Sequence, residues 1–109
     1  MTRYRIRYSP RAVDDLNRSF EWGIEYWGIE QAVMWLTEIE DLIERRLSKM
    51  PVAQPFAPED RDLDREIRQL IFGRYRVLFT VKFEEVLVLR VRGPFNSLET
   101  DPDELGLDR

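Results

Sequence analysis

Residues 66–92, EIRQLIFGRYRVLFTVKFEEVLVLRVR, decide how the rest of this chain is read. They divide into consecutive β-strands joined by tight turns. In Phe72, Gly73, Arg74, Tyr75 a glycine stands first in a two-residue connection, where a type II′ hairpin requires a positive φ. Tyr75, Val77, Phe79, Val81 and Phe83 then alternate with Arg76, Leu78, Thr80 and Lys82, the period of a strand with one buried face. After Glu84 and Glu85, residues 86–91 are almost wholly apolar, as expected of a strand covered by neighbours. A meander with such a face needs a lid.

Hairpin parity sorts the side chains. With Gly73 and Arg74 in the loop, Phe72 lies opposite Tyr75, Leu70 opposite Val77 and Arg68 opposite Phe79, all on the buried face. Ile71, Gln69 and Ile67 join Arg76 on the other face, which is expected to be open. For the second hairpin a two-residue turn would bury Arg90 and Arg92. A three-residue turn would bury Leu87, Leu89 and Val91 and expose both arginines. Unpaired buried guanidiniums are costly, so the three-residue turn is the expectation. The open face then presents Arg76, Arg90 and Arg92, with Arg5 or Arg7 beside them and Arg74 in the adjoining turn. Two readings follow: a cationic surface for an anionic target, or a solvated face whose arginine stems cover apolar neighbours.

Working outward, Tyr4, Ile6 and Tyr8 alternate with Arg3, Arg5 and Arg7, giving a short strand with one cationic face. It reads either as a charge-protected edge strand or as arginines turned to an anionic partner. Ser9 and Pro10 start a helix, the serine as N-cap and the proline with φ already set. Val13, Leu16, Phe20, Ile24 and Trp27 keep helical spacing and are expected to form its core stripe. Trp22 and Tyr26 lie off that stripe, either capping a neighbouring loop or offering a partner a place to dock. Gly28 suits the end of this helix in a left-handed conformation. A second helix is expected over residues 30–50, burying Ala32, Leu36, Ile39, Ile43, Leu47 and Met50, widened by Trp35 and Leu42. A connection of about three residues makes the helices antiparallel neighbours. Residues 51–64, rich in proline and then in acids, form the long connection, extended and mobile at its acidic end. The fold class is α+β with the order β-α-α-β-β-β, a helical hairpin packed on one face of a small, mainly antiparallel sheet. Residues 1–93 form a single domain and 94–109 an acidic C-terminal tail.

Composition narrows the function classes. The chain has 109 residues, 43% hydrophobic and 35% charged, ordinary for one globular domain. No apolar run approaches the ~20 residues that span a bilayer, and no secretory signal is expected, which makes the cytoplasm the default compartment. Cysteine and histidine are both absent. Thiolate chemistry, the commonest zinc ligands and a Ser-His-Asp triad are therefore excluded, and neither a cofactor nor a metal is expected. The net charge is −4 and the pI about 4.9. Glu99, Asp101, Asp103, Glu104 and Asp108 face Arg109 alone in the tail, whereas the strands are basic.

Several features in order carry a family resemblance. They are the first strand running into Tyr8, Ser9, Pro10, Arg11, Ala12 and then Asp15, Leu16; the helical hairpin closing at Met50 and Pro51; and Ile67, Arg68, Gln69, Leu70 followed by Gly73, Arg74, Tyr75, Arg76, Val77, Leu78, Phe79. The chain resembles the RelE/ParE superfamily of toxins from type II toxin–antitoxin modules, also described as plasmid-stabilisation proteins. The resemblance implies a cognate antitoxin as partner. It also implies one of two targets: DNA gyrase, inhibited by binding in ParE-like members, or the ribosome and its mRNA, cut by RelE-like members. In the RelE-like pattern the arginine after the central turn is kept as Arg76. The two lysines of the preceding strand fall on Ile67 and Gln69, the second arginine on Asn96 and the C-terminal tyrosine on Pro102. Arg76 is thus the one candidate catalytic residue, and whether the chain is an enzyme is left open. Binding of the target by a ParE-like toxin is favoured over a RelE-like metal-independent mRNA endonuclease. The acidic pI supports a third reading, a non-toxic family member that acts only as a protein-binding module.

Overall fold

The computed structural model describes residues 3–59 and 66–93. Along them run β1 (Arg5–Tyr8), α1 (Pro10–Trp27), α2 (Ile29–Leu47), a short 3-10 turn (Pro51–Ala53), β2 (Arg68–Phe72), β3 (Tyr75–Lys82) and β4 (Glu85–Arg92). The sheet order is β1-β4-β3-β2, with β1 parallel to β4 and the other pairs antiparallel. The order of elements and the α+β class are as the sequence predicts.

Ser9 caps α1 by accepting the Ala12 amide at 3.1 Å, and Pro10 occupies the first turn. Gly28, at φ 93°, ends α1 with its amide on the Ile24 carbonyl and begins α2 at once. The expected three-residue connection is therefore one residue, which the positive φ of a glycine allows. α2 buries Ile39, Ile43 and Leu47 in the core on the sheet and Ala32 beside Gly23 of α1. It stops at Leu47 rather than at Met50, which is exposed.

The face of α1 is a correction. Val13, Ile24 and Trp27 are exposed, and the buried residues are Ala12, Asp15, Leu16, Ser19 and Gly23. α1 packs against both α2 and β4, and such close contact favours small side chains. A Cβ on Gly23 would lie 3.0 Å from the Trp27 ring and 3.3 Å from the Ala32 Cβ.

The first hairpin has the expected register: Phe72 pairs with Tyr75, Leu70 with Val77 and Arg68 with Phe79. The second does not. Its turn has two residues, with Lys82 opposite Glu85, and the register then shifts between Leu78 and Phe79. Leu78 faces Arg90 and Phe79 faces Val88, so Leu89 is an extra residue in β4. This β-bulge reverses parity. Val86, Val88 and Val91 all reach the helix-facing core, while Leu87 and Leu89 face the other way. Turn length alone does not reveal a bulge, which depends on the partner strand.

The far face of the sheet is not open either. Ile67, Leu78 and Leu89 are buried there with Ala57. Ala57 belongs to a strap, residues 51–59, that runs back along β2. The Ala57 amide donates to Ile67 O at 2.8 Å, the Gln69 amide to Pro55 O at 3.0 Å, and Phe56 bridges Arg68. Residues 60–65 and the 94–109 tail lie outside the described residues.

Candidate functional site

The arginines that the sequence places on one face are divided among separate settings. Arg76 and Arg92 are opposite each other on β3 and β4. The strap reaches Arg76: Glu59 Oε2 accepts from Nη2 at 2.7 Å and Oε1 from Nη1 at 3.2 Å, while Gln69 Oε1 accepts from Nη1 at 3.0 Å. Glu59 is 4% exposed and Arg92 7%. The fork of two parallel bonds is a strong carboxylate–guanidinium geometry, and it occupies the donors that a phosphate would use. Ile67, where the family pattern has a lysine, is wholly buried.

Arg90 belongs to a different cluster. Its Nε and Nη2 donate to Asp15 of α1 at 2.7 and 2.8 Å, and the Val91 amide donates to the same carboxylate at 2.9 Å. The reason lies at the edge of β4. β1 covers that edge only to Val88, beyond which Ser9 donates to Val88 O and Leu89 O and Asp15 accepts from Val91. α1 thus closes the edge that β1 leaves. The expectation that Arg90 and Arg92 are exposed is corrected: both are buried, Arg90 as half of an ion pair.

Arg5 and Arg7 lie on the edge strand, exposed, with Glu85 at 3.9 and 3.1 Å. Arg74 is exposed in the β2–β3 turn. Arg68 donates to Gln54 O at 2.7 Å and stacks 4.2 Å from the Phe56 ring centroid, which pins the strap. Among the described residues no cluster of His, Cys, Asp and Glu could hold a metal.

The aromatic residues come together at the hairpin tip. Trp22 is half-buried and Tyr26 exposed, with ring centroids 4.7 Å apart, and Trp22 also meets Trp27 edge-on at 5.1 Å. Beside this cluster, Trp27, Met34, Trp35 and Phe72 line an open groove that sequence reasoning missed. Trp35 packs on the core, as expected, with its ring 4.9 Å from that of Tyr75, and it also lines the groove. The pairing of Glu59 with Arg76 and of Asp15 with Arg90 is not foreseen from the sequence either. Asp15 could have been found as a carboxylate among the small residues of α1. Nothing in the sequence singles out Glu59.

The chemistry open to the back face is limited. Arg76 supplies positive charge and hydrogen-bond donors but no acceptor. Its charge is already balanced by Glu59.

Comparison with known proteins matches residues 6–93 to the family of the ParE toxin of the type II toxin–antitoxin system, parDE. Among solved structures, the chromosomal ParDE system from P. aeruginosa superposes with a TM-score of 0.68 at 19% identity, covering 81% of this chain and 92% of that one. The RelBE2 toxin–antitoxin complex from Mycobacterium tuberculosis gives 0.61 at 20% identity, covering 88% and 97%. At these identities the likeness is one of fold. No curated protein matches the sequence.

Proposed function

Because the chain belongs to the ParE toxin family of type II toxin–antitoxin systems, we propose that it is held by a cognate antitoxin and acts on its target by binding, not by cutting RNA. The observation that carries this choice is the pairing of Arg76 with Glu59 beneath the strap. An RNase site needs its cations free to clamp a phosphate and a group nearby to move a proton. Here the one family arginine is already neutralised, and Ile67 and Gln69 stand where lysines would serve. DNA gyrase is the target this reading favours, in a cytoplasmic setting.

The test uses purified full-length chain. Inhibition of gyrase supercoiling that is relieved by the antitoxin, with no ribosome-dependent cleavage of mRNA, is the expected result. Ribosomal A-site cuts that disappear in a folded Arg76→Gln variant would replace it with the endonuclease reading. The acidic pI of about 4.9 favours a second reading, a non-toxic family member. Forced expression that leaves growth unchanged would select it.

A further inference from the structure

The acid that neutralises Arg76 does not come from the sheet. Arg76 and Arg92 stand opposite each other on β3 and β4, and like charges set directly across a ladder are unfavourable. The sheet positions around them on this face are Ile71, Gln69 and Leu78, none of which carries a charge. Arg92 is 7% exposed and the Arg76 side chain 21%. Guanidiniums drawn this far from water favour an anion beside them. The strap provides one, with both Glu59 carboxylate oxygens on Arg76 at 2.7 and 3.2 Å.

The strap itself is lightly anchored. Val52 and Phe56 are 57% and 51% exposed, and Ala57 is what the strap adds to the buried apolar cluster of Ile67, Leu78 and Leu89. The Ala57 amide donates to Ile67 O, the Gln69 amide to Pro55 O and Arg68 to Gln54 O, all of them polar contacts made before Glu59 is reached. Pro58 then follows, exposed and without an amide hydrogen. The end of the strap is thus tied to β3 by charge. A carboxylate fork on a guanidinium is also the arrangement a phosphate makes, so an anion from outside competes for the same donors.

We propose that the strap is an autoinhibitory segment: Glu59 is an internal anion seated on Arg76 beside Arg92, and a phosphate group takes its place when the end of the strap moves off the sheet. The opened site gains charge but no general acid or base, since Ile67 and Gln69 remain its neighbours. The proposal is therefore one of binding, and it does not depend on which target the toxin engages.

Inorganic pyrophosphate is the probe, with ionic strength held constant by potassium chloride. Binding to the full-length chain is measured by calorimetry for the wild type, Glu59→Gln, Glu66→Gln and the double variant Glu59→Gln with Arg76→Gln. Glu66 is an exposed acid 3.7 Å from Arg68 and controls for the change in net charge. Glu59→Gln is expected to tighten binding about tenfold over the wild type. Glu66→Gln should leave it unchanged, and the double variant should return it to the wild-type level. No gain in Glu59→Gln, an equal gain in Glu66→Gln, or a gain that persists in the double variant overturns the proposal. The wild type supplies a reading that needs no substitution. Pyrophosphate should accelerate amide exchange at Ala57 and Gln69 while the β3 amides stay protected. Exchange unchanged by pyrophosphate would make the strap fixed architecture and likewise overturns the proposal.

Discussion

Asp15 accepts from Arg90 Nε at 2.7 Å, from Arg90 Nη2 at 2.8 Å and from the Val91 amide at 2.9 Å. Asp15→Ala removes all of these acceptors and takes the carboxylate from a buried guanidinium. The expected loss is about 3–5 kcal/mol in denaturant unfolding. Asp15→Leu combined with Arg90→Met should recover most of it, because the cost lies in the unmatched charge more than in the missing attraction. Phe83 gives the opposite sign. It sits in the β3–β4 turn at φ 57°, the left-handed region, and is 87% exposed. A bulky aromatic there carries strain with little burial in return, so Phe83→Asn should stabilise the fold by about 1 kcal/mol. An unchanged or lowered melting temperature would show that the turn gains something from the ring.

At the scale of elements, the relation of α1 to its neighbours was the least legible part of the fold. Its large apolar residues keep good helical spacing, and that periodicity marks a helix reliably. It does not say which side of the helix the rest of the molecule will approach. α1 meets α2 and β4 together, and the side with Ala12, Ser19 and Gly23 permits that contact. Gly23→Val should therefore destabilise by about 1–3 kcal/mol through overpacking, despite the gain in helix propensity. The strap carries a prediction of its own. Glu59→Gln weakens the fork on Arg76, and exchange of the Ala57 and Gln69 amides, which bond to Ile67 O and Pro55 O and so hold the strap against residues 67–69, should accelerate relative to the β3 amides. Uniform protection in the variant would mean that the backbone bonds alone hold the strap.

For the molecule as a whole, alkaline stability is a readable property. Burial, with Glu40 and Glu44 adding to it, pushes the Tyr8 phenol up to about 12. Burial also raises Tyr75. Both phenols stay neutral in the folded chain at a pH where the unfolded chain has begun to ionise. Above pH 10, the ordinary tyrosine value, the unfolded state binds fewer protons, so stability declines as pH rises. It should be unaffected by these groups below pH 10 and lost progressively from there toward 12. Tyr8→Phe should make the decline shallower in a pH series of unfolding curves.

The element order, the register of the β2–β3 hairpin and the cap of α1 could all be read from the residues, because each depends on neighbours close along the chain. Alternation in β3, a glycine first in a two-residue turn, and serine before proline are local statements about backbone conformation. Arg76 could be picked out by its place after that turn, and the aromatic pair Trp22 and Tyr26 by its departure from the helical stripe. The setting of each charge was decided only in three dimensions. One extra residue, Leu89, reverses the parity of β4 and allows Val91 to reach the core beyond Arg90. Asp15 meets Arg90 across 75 residues of chain and Glu59 meets Arg76 across 17. Burial makes such pairings obligatory, since a charge removed from water must find a partner, but it leaves no periodic trace in the sequence. The stretch 66–92 thus announces its strands by itself, while the occupancy of its second face depends on residues that only folding brings beside it.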